Sequence, residues 1–421
     1  MASTSTGYDT GLHRAGWIMQ DPRTIIANGY VRVVSGQIRE IGQWRQKAPP
    51  TGQEAVFDHG PGVLMPALVN AHTHLELSGF KGRLDCDQGF GSWVQTLLQL
   101  RAKSTVSDLA AAAERGLQEI VSTGTGTVCE ISSLGLTDQL LRGSGLSGLW
   151  AREILGNLQN TPEATLPNWP GHVKPALAGH APHSTDPALL AELKQVDETY
   201  QRPFSIHLSE SDAEMEFINS GGGAWAGFLT ERGIDFSNWG LPARSPVAYL
   251  EKLGVLNERT LAVHVLLADD RDLDVLQRRR VPVCVCPRSN QALHSRLPDI
   301  PAMLARRMSV CIGTDSLAST PSLDLFDEMA FIARQYPSLG PARILAMATA
   351  NGAAALMQPA CGKIERGFSA RMIYVPATGS TPQKLMEMIV NRDFSQPCQP
   401  LFAGAETQTG EQDAGQATQT G

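Results

Sequence analysis

The chain has 421 residues, of which 42% are hydrophobic and 18% charged, with a formal net charge of -7. This length exceeds the usual single domain and requires either two domains or one large barrel with an appendage. The composition excludes disorder and a coiled coil, and a mildly acidic chain without a clustered Lys/Arg face excludes nucleic-acid binding.

Residues 16 to 58 carry a short, β-like pattern: Gly16-Trp-Ile-Met19, then Thr24 to Val34, a Ser35-Gly36 turn, and Gln37 to Ile41. Alternation around Gly-containing turns predicts hairpins. A matching pattern returns from Gly362 to Val375, so residues 1–62 and 362–402 are expected to form one small β-sandwich domain built from both chain ends.

Between them, apolar strand-like runs alternate with helical stretches over 63–361. Eight strands are predicted: 63–72, 126–132, 148–155, 176–180, 204–207, 260–264, 281–286 and 310–314. Helices fall between several of them, including Leu109 to Val121, and Pro187 to Tyr200 with Asp186 as N-cap and Pro187 at the first helical position. This is the pattern of an α/β chain folded as a (β/α)8 TIM-type barrel. The segment 211–259, with three consecutive glycines and several aromatics, is the largest insertion and a candidate substrate lid. Beyond Ala403 the chain is a Gly/Thr/Gln/Glu-rich tail, expected to be disordered.

Seven scattered cysteines do not resemble a disulfide framework, and Cys284 and Cys286 read as core. The first residues lack a basic and an apolar region, and no run of about 18 apolar residues occurs, so a cytoplasmic chain without a membrane partner is expected. A homodimer stays open as the assembly.

His72 and His74 stand two apart at the end of the first barrel strand, where alternation puts both imidazoles on one side. An isolated H-x-H pair is more often only a polar strand edge. Here, however, six of the ten histidines (72, 74, 180, 183, 207 and 264) lie at or just beyond predicted strand ends, and Asp315 closes the eighth. In a barrel these ends converge on one mouth. Neutral nitrogens from His72, His74 and His207 with an oxygen from Asp315 suit one divalent ion, zinc in preference and iron as the alternative. Bound zinc lowers the pKa of water from 15.7 to about 7, and Asp315 is placed to take its proton. Glu210, three residues past His207, faces the mouth only if the chain turns there; its role is then a proton shuttle to a small-molecule substrate. Gly143 to Gly148 fits G-x-G-x-x-G but follows a helix and precedes a strand, the reverse of a dinucleotide site.

The motifs Asn70-Ala-His-Thr-His74, His180-Ala-Pro-His183, His207-Leu-Ser-Glu210, the lone His264, Cys286-Pro-Arg-Ser-Asn290 and Gly313-Thr-Asp-Ser316 together resemble the amidohydrolase superfamily, in its deaminase and chlorohydrolase branch. The resemblance covers nearly the whole chain and implies one metal on His72, His74, His207 and Asp315. It also implies that Glu210, His264 and His180 handle the substrate. The implied reaction is hydroxide attack on an amino-bearing ring carbon, proton delivery through Glu210, and loss of ammonia. His74-Leu-Glu-Leu-Ser78 and the segment around Ser316 resemble the aminofutalosine deaminases of the alternative menaquinone route, which implies that Glu76 contacts substrate. His183 stands where that subgroup has tyrosine. Chloride or amide C–N hydrolysis on a related ring, and a non-catalytic barrel scaffold, are the competing readings.

Overall fold

The computed structural model describes residues 10–44, 54–87, 89–157 and 166–402. The tail expected to be disordered, 403–421, lies outside the described residues. Strands β1 (Gly11–Asp21), β2 (Thr24–Val34) and β3 (Gln37–Gln43) form an antiparallel meander. The expected Ser35-Gly36 turn joins β2 to β3, with both residues in the left-handed region. Strands β4 (Val56–Asp58) and β5 (Val63–Pro66) then run parallel to β1.

The single strand expected over 63–72 is two strands. Val63–Pro66 belongs to the small sheet, and the chain passes at Ala67 into β6 (Leu68–Thr73), the first strand of the barrel. The reason is a change of partner. Ala67 N–H donates to Arg371 O at 3.0 Å, on the small-sheet side, whereas Leu68 N–H donates to Gly124 O at 2.9 Å, just before the second barrel strand.

The barrel continues through β7 (Thr125–Ser132), β8 (Ser147–Ile154), β9 (Val173–Gly179), β10 (Phe204–Leu208), β11 (Thr260–His264), β12 (Val283–Val285) and β13 (Val310–Ile312). Neighbours pair in chain order and in parallel, giving eight strands in one sheet. The ring closes where a parallel bridge joins Thr73 to Asp315 and where Thr314 and Asp315 N–H both donate to His72 O at 3.1 Å. The last strands, β14 (Met372–Val375) and β15 (Gln399–Pro400), return to the small sheet, with β14 antiparallel to β5. That sheet has seven strands and is mixed.

Two helices show why the local sequence reads correctly. Val106–Ser122 starts from a Thr105/Asp108 capping box, and Pro187–Thr199 starts from Asp186, whose carboxylate accepts from Ala188 and Leu189 N–H. The barrel interior is filled by small side chains, among them Ala71, Cys129, Ala151, Ala176, Ala178, Cys284 and Cys311. The bulkier layer lies between sheet and helices, as a packed cylinder of this size requires. The insertion expected as a loop folds instead into the helices Asp212–Ser220, Gly223–Glu231 and Pro246–Lys252. Among the described residues no helix is long and apolar enough to cross a membrane.

Candidate active site

Three histidines from two strand ends, His72 and His74 at β6 and His207 at β10, meet at the carboxyl end of the barrel. His72 Nε2 lies 3.1 Å from His74 Nε2 and 3.3 Å from His207 Nε2. His207 Nδ1 sits 2.7 Å from the His180 carbonyl oxygen. A carbonyl only accepts, so the proton is on Nδ1 and the Nε2 lone pair points at the other two rings. Burial pushes His72 well below the usual imidazole range and His74 down to about 4, so both are neutral at pH 7. Converging bare nitrogens repel one another unless a cation lies between them. Two ligands about 2.0–2.1 Å from a tetrahedral zinc ion stand roughly 3.3 Å apart, so the donor set fits such an ion. Asp315 Oδ1 adds an oxygen 3.9 Å from His72 Nε2 and 3.8 Å from His74 Nε2.

The remaining strand ends aim their side chains by unusual backbone turns. Ser209, His264 and Asp315 all adopt positive φ (51°, 72° and 57°), a region that non-glycine residues seldom enter. At Ser209 this is the turn that Glu210 requires. The buried Glu214 carboxylate fixes it by accepting Ser209 N–H at 2.9 Å and Glu210 N–H at 2.7 Å. Glu210 Oε1 then lies 3.5 Å from both His264 Nε2 and His294 Nε2. Burial alone would raise the Glu210 carboxyl, but His264 and His294 outweigh it and hold it well below the usual range. It is therefore an anion ready to accept a proton. On Asp315, Oδ2 accepts from Ser289 Oγ at 2.5 Å and Ser319 Oγ at 3.1 Å, which leaves Oδ1 for the mouth.

His180 and His183 both line the same cavity of about 240 Å³, as does Ser316. His180 Nδ1 is 2.5 Å from Ser184 Oγ. His183 is buried beneath Trp225, whose indole Nε1–H donates to His183 O at 2.6 Å, while both ring nitrogens of His183 lack hydrogen-bond partners among the described residues. Away from the polar end the cavity is apolar, with Phe90, Trp93, Leu97 and Leu293 on one side. Trp225, Phe228 and Leu229 from the insertion form the other side. Arg101 and Arg232 stand along its lining.

Glu76 is placed differently from the expectation. It sits in the 3-10 turn Leu75–Phe80, is buried, and is not among the residues lining the cavity. Its carboxylate accepts from Ser132 Oγ at 2.6 Å, Leu134 N–H at 2.7 Å and Leu136 N–H at 2.8 Å, so it ties down the segment after β7. Besides Glu210 and Asp315, the cavity is lined by a carboxylate that the sequence did not single out, Glu153 at the end of β8. Burial would raise it, but His180, His74 and His207 bring it down to about 2. The signal for it was present: Leu149 and Ala151 face the barrel interior, and strand alternation puts 153 on that same face.

Comparison with known proteins assigns the chain to a family. The family model described as "Amidohydrolase family" matches residues 63–397. The chain is similar to a 5-methylthioadenosine/S-adenosylhomocysteine deaminase of Syntrophobacter fumaroxidans, 30% identical over 370 residues, covering 82% of this chain and 80% of that one. In structure it resembles aminofutalosine deaminase of Helicobacter pylori in complex with methylthio-coformycin, with a TM-score of 0.80, 22% identity, and coverage of 94% and 99%. It also resembles a zinc-bound adenosine deaminase from Xanthomonas campestris, with a TM-score of 0.73, 23% identity, and coverage of 90% and 88%.

Proposed function

Because this chain belongs to the amidohydrolase family and is a hydrolase of carbon–nitrogen bonds, we propose that it is a metal-dependent deaminase of an adenosine-like nucleoside. Aminofutalosine is the best single candidate for the substrate. The observation that carries the reading is the meeting of three imidazole Nε2 atoms, 3.1 and 3.3 Å apart, beside the Glu210 carboxylate. His72, His74, His207 and Asp315 would hold the ion, zinc in preference to iron. When bound, it supplies the Lewis acidity that brings the pKa of a water near neutrality.

The protein's own groups account for the proton movements. Asp315, with Oδ2 fixed by two serine hydroxyls, offers Oδ1 as acceptor for the proton of the attacking water. Glu210 starts as an anion, takes up a proton, and delivers it to the ring nitrogen next to the reacting carbon. His264, 3.5 Å from Glu210, orients the nucleophile. Water thus adds across the C=N bond, one of its protons passing through Glu210 to the ring nitrogen and the other through Asp315 to the amino group, which leaves as ammonia. The apolar part of the cavity accommodates a bulky 5′ substituent, which supports a nucleoside over a free base.

Zinc-loaded protein is assayed for ammonia release from aminofutalosine, 5′-methylthioadenosine, adenosine and guanine. Turnover of at least one of the nucleosides is expected. No ammonia from any of the four, or chloride or alkylamine release from a substituted triazine in its place, refutes the proposal.

A further inference from the structure

Glu153 is a buried carboxylate with one oxygen engaged and one free. It is 5% exposed. Its Oε2 accepts from Ser133 Oγ at 2.6 Å, whereas Oε1 has no hydrogen-bond partner among the described residues, and the residue lines the cavity. Among the described residues the ion-pair partner within 4.0 Å of Oε1 is His207 Nδ1 at 3.9 Å, but that proton already goes to the His180 carbonyl at 2.7 Å. The same bond argues against a second metal on Glu153, His180 and His207, whose donor atoms lie within 4.8 Å of one another. Metal binding there through His207 Nδ1, the nitrogen 3.9 Å from Glu153, would need that nitrogen bare, and the carbonyl contact requires a protonated one, while Nε2 is turned toward His72.

A carboxylate oxygen held out of water without a donor is costly, so a ligand donor that reaches it from the cavity is favoured there. On an adenosine-like nucleoside the ring nitrogens N1, N3 and N7 are acceptors, and so of no use to Glu153. The 6-amino group is the leaving group and sits at the reacting carbon. The donors that remain on the common part of these molecules are the 2′- and 3′-hydroxyls of the ribose. We propose that Glu153 is the residue that reads the sugar, with Oε1 accepting a hydrogen bond from a ribose hydroxyl. Its geometry is set in relay. Glu76 fastens Ser132, Leu134 and Leu136, and Ser133 within that segment orients Glu153. Glu76 is thus a positioning residue, and the substrate contact belongs to Glu153. This inference rests on the deaminase reading above.

The test compares zinc-loaded wild type and Glu153→Gln on adenosine and on 2′,3′-dideoxyadenosine. Zinc content and far-UV circular dichroism are measured on both proteins. Loss of one charge-assisted hydrogen bond is worth roughly 10- to 100-fold. The wild-type preference for the riboside, as a ratio of kcat/KM, should therefore narrow by that factor in the variant, with the change carried mainly by KM. Glu153→Asp, which withdraws the carboxylate by one methylene, should give an intermediate ratio. An unchanged ratio, or equal loss on both nucleosides, overturns the assignment of Glu153 while leaving the deaminase intact. A wild type inert on both nucleosides and on the wider panel overturns the deaminase reading and this assignment with it.

Discussion

Replacing Gly313 by alanine tests whether the seam of the barrel sets the position of the first histidine. A Cβ at 313 would stand 2.8 Å from His72 Cβ, 2.8 Å from His72 O and 2.9 Å from Cys284 Sγ. Relaxed contacts between such atoms begin near 3.4 Å, so each pair must open by about 0.5–0.6 Å. None of the three is the far end of a flexible side chain. Two are atoms of His72 itself, and its carbonyl is further held by Thr314 and Asp315 N–H. Overpacking of this kind costs about 1–3 kcal/mol. A displacement of half an ångström at His72 should also weaken zinc by roughly 10- to 100-fold, the range seen when support for a ligand is disturbed. Urea unfolding and zinc competition against a chromophoric chelator measure the two effects. A Gly313→Ala protein within about 0.5 kcal/mol of wild type, binding zinc within about threefold of it, would show that His72 is not positioned by this contact.

Asp315→Asn should reduce kcat by at least about 100-fold while the urea midpoint stays near that of wild type, since an active variant would contradict its role as proton acceptor. Glu76→Ala removes three hydrogen bonds to the segment after β7 and should cost about 2–4 kcal/mol of stability. Its effect on KM should vanish in a Glu153→Gln background; additive effects would break the relay. Glu328 is fully buried, its Oε1 without a hydrogen bond among the described residues and 3.8 Å from Arg288 Nε, and burial pushes it up to about 8. The folded protein therefore binds this proton more tightly than the unfolded chain. The associated stability is complete below about pH 4.5 and is lost as pH rises toward 8, at up to about 1.4 kcal/mol per unit. Glu328→Gln should flatten the pH dependence of urea unfolding between pH 5 and 8, and a slope identical to wild type contradicts this.

The barrel was legible because its strands are apolar runs and several of them announce themselves a second time by ending in or next to His or Asp. β10 and β11 fall at or within a residue of their expected ends for that reason. The hand-over at Ala67 was not legible, because Val63 to Val69 is apolar on both sides of it. Pro66, which cannot donate to a ladder, was the one local cue. Glu210 could be placed by argument, since a straight strand would have turned it away and the left-handed Ser209 supplies the missing turn. The partners that hold these groups in place, Glu214 under Ser209 and Ser289 under Asp315, come from other segments and depend on pairings that only the fold creates. Glu76 is the opposite case: the motif around it says nothing of where its carboxylate goes, because the three hydrogen bonds it accepts come from residues 132–136, which only the fold brings to it.

The bridge between Thr73 and Asp315 has a topological consequence. It joins segments separated by 242 positions in the chain; Asp315 is itself one end of it, and the other end, Thr73, is flanked by His72 and His74. Every other junction of the cylinder is a ladder between strands consecutive in sequence. Circular closure and the donor set for the ion therefore occupy the same few residues. A chain that has not completed its ring has no site, and a ligand drawing on both edges of the gap acts as a clasp on the ring. Amide exchange at Thr314 and Asp315 thus reports on ring opening and on ligand occupancy at once.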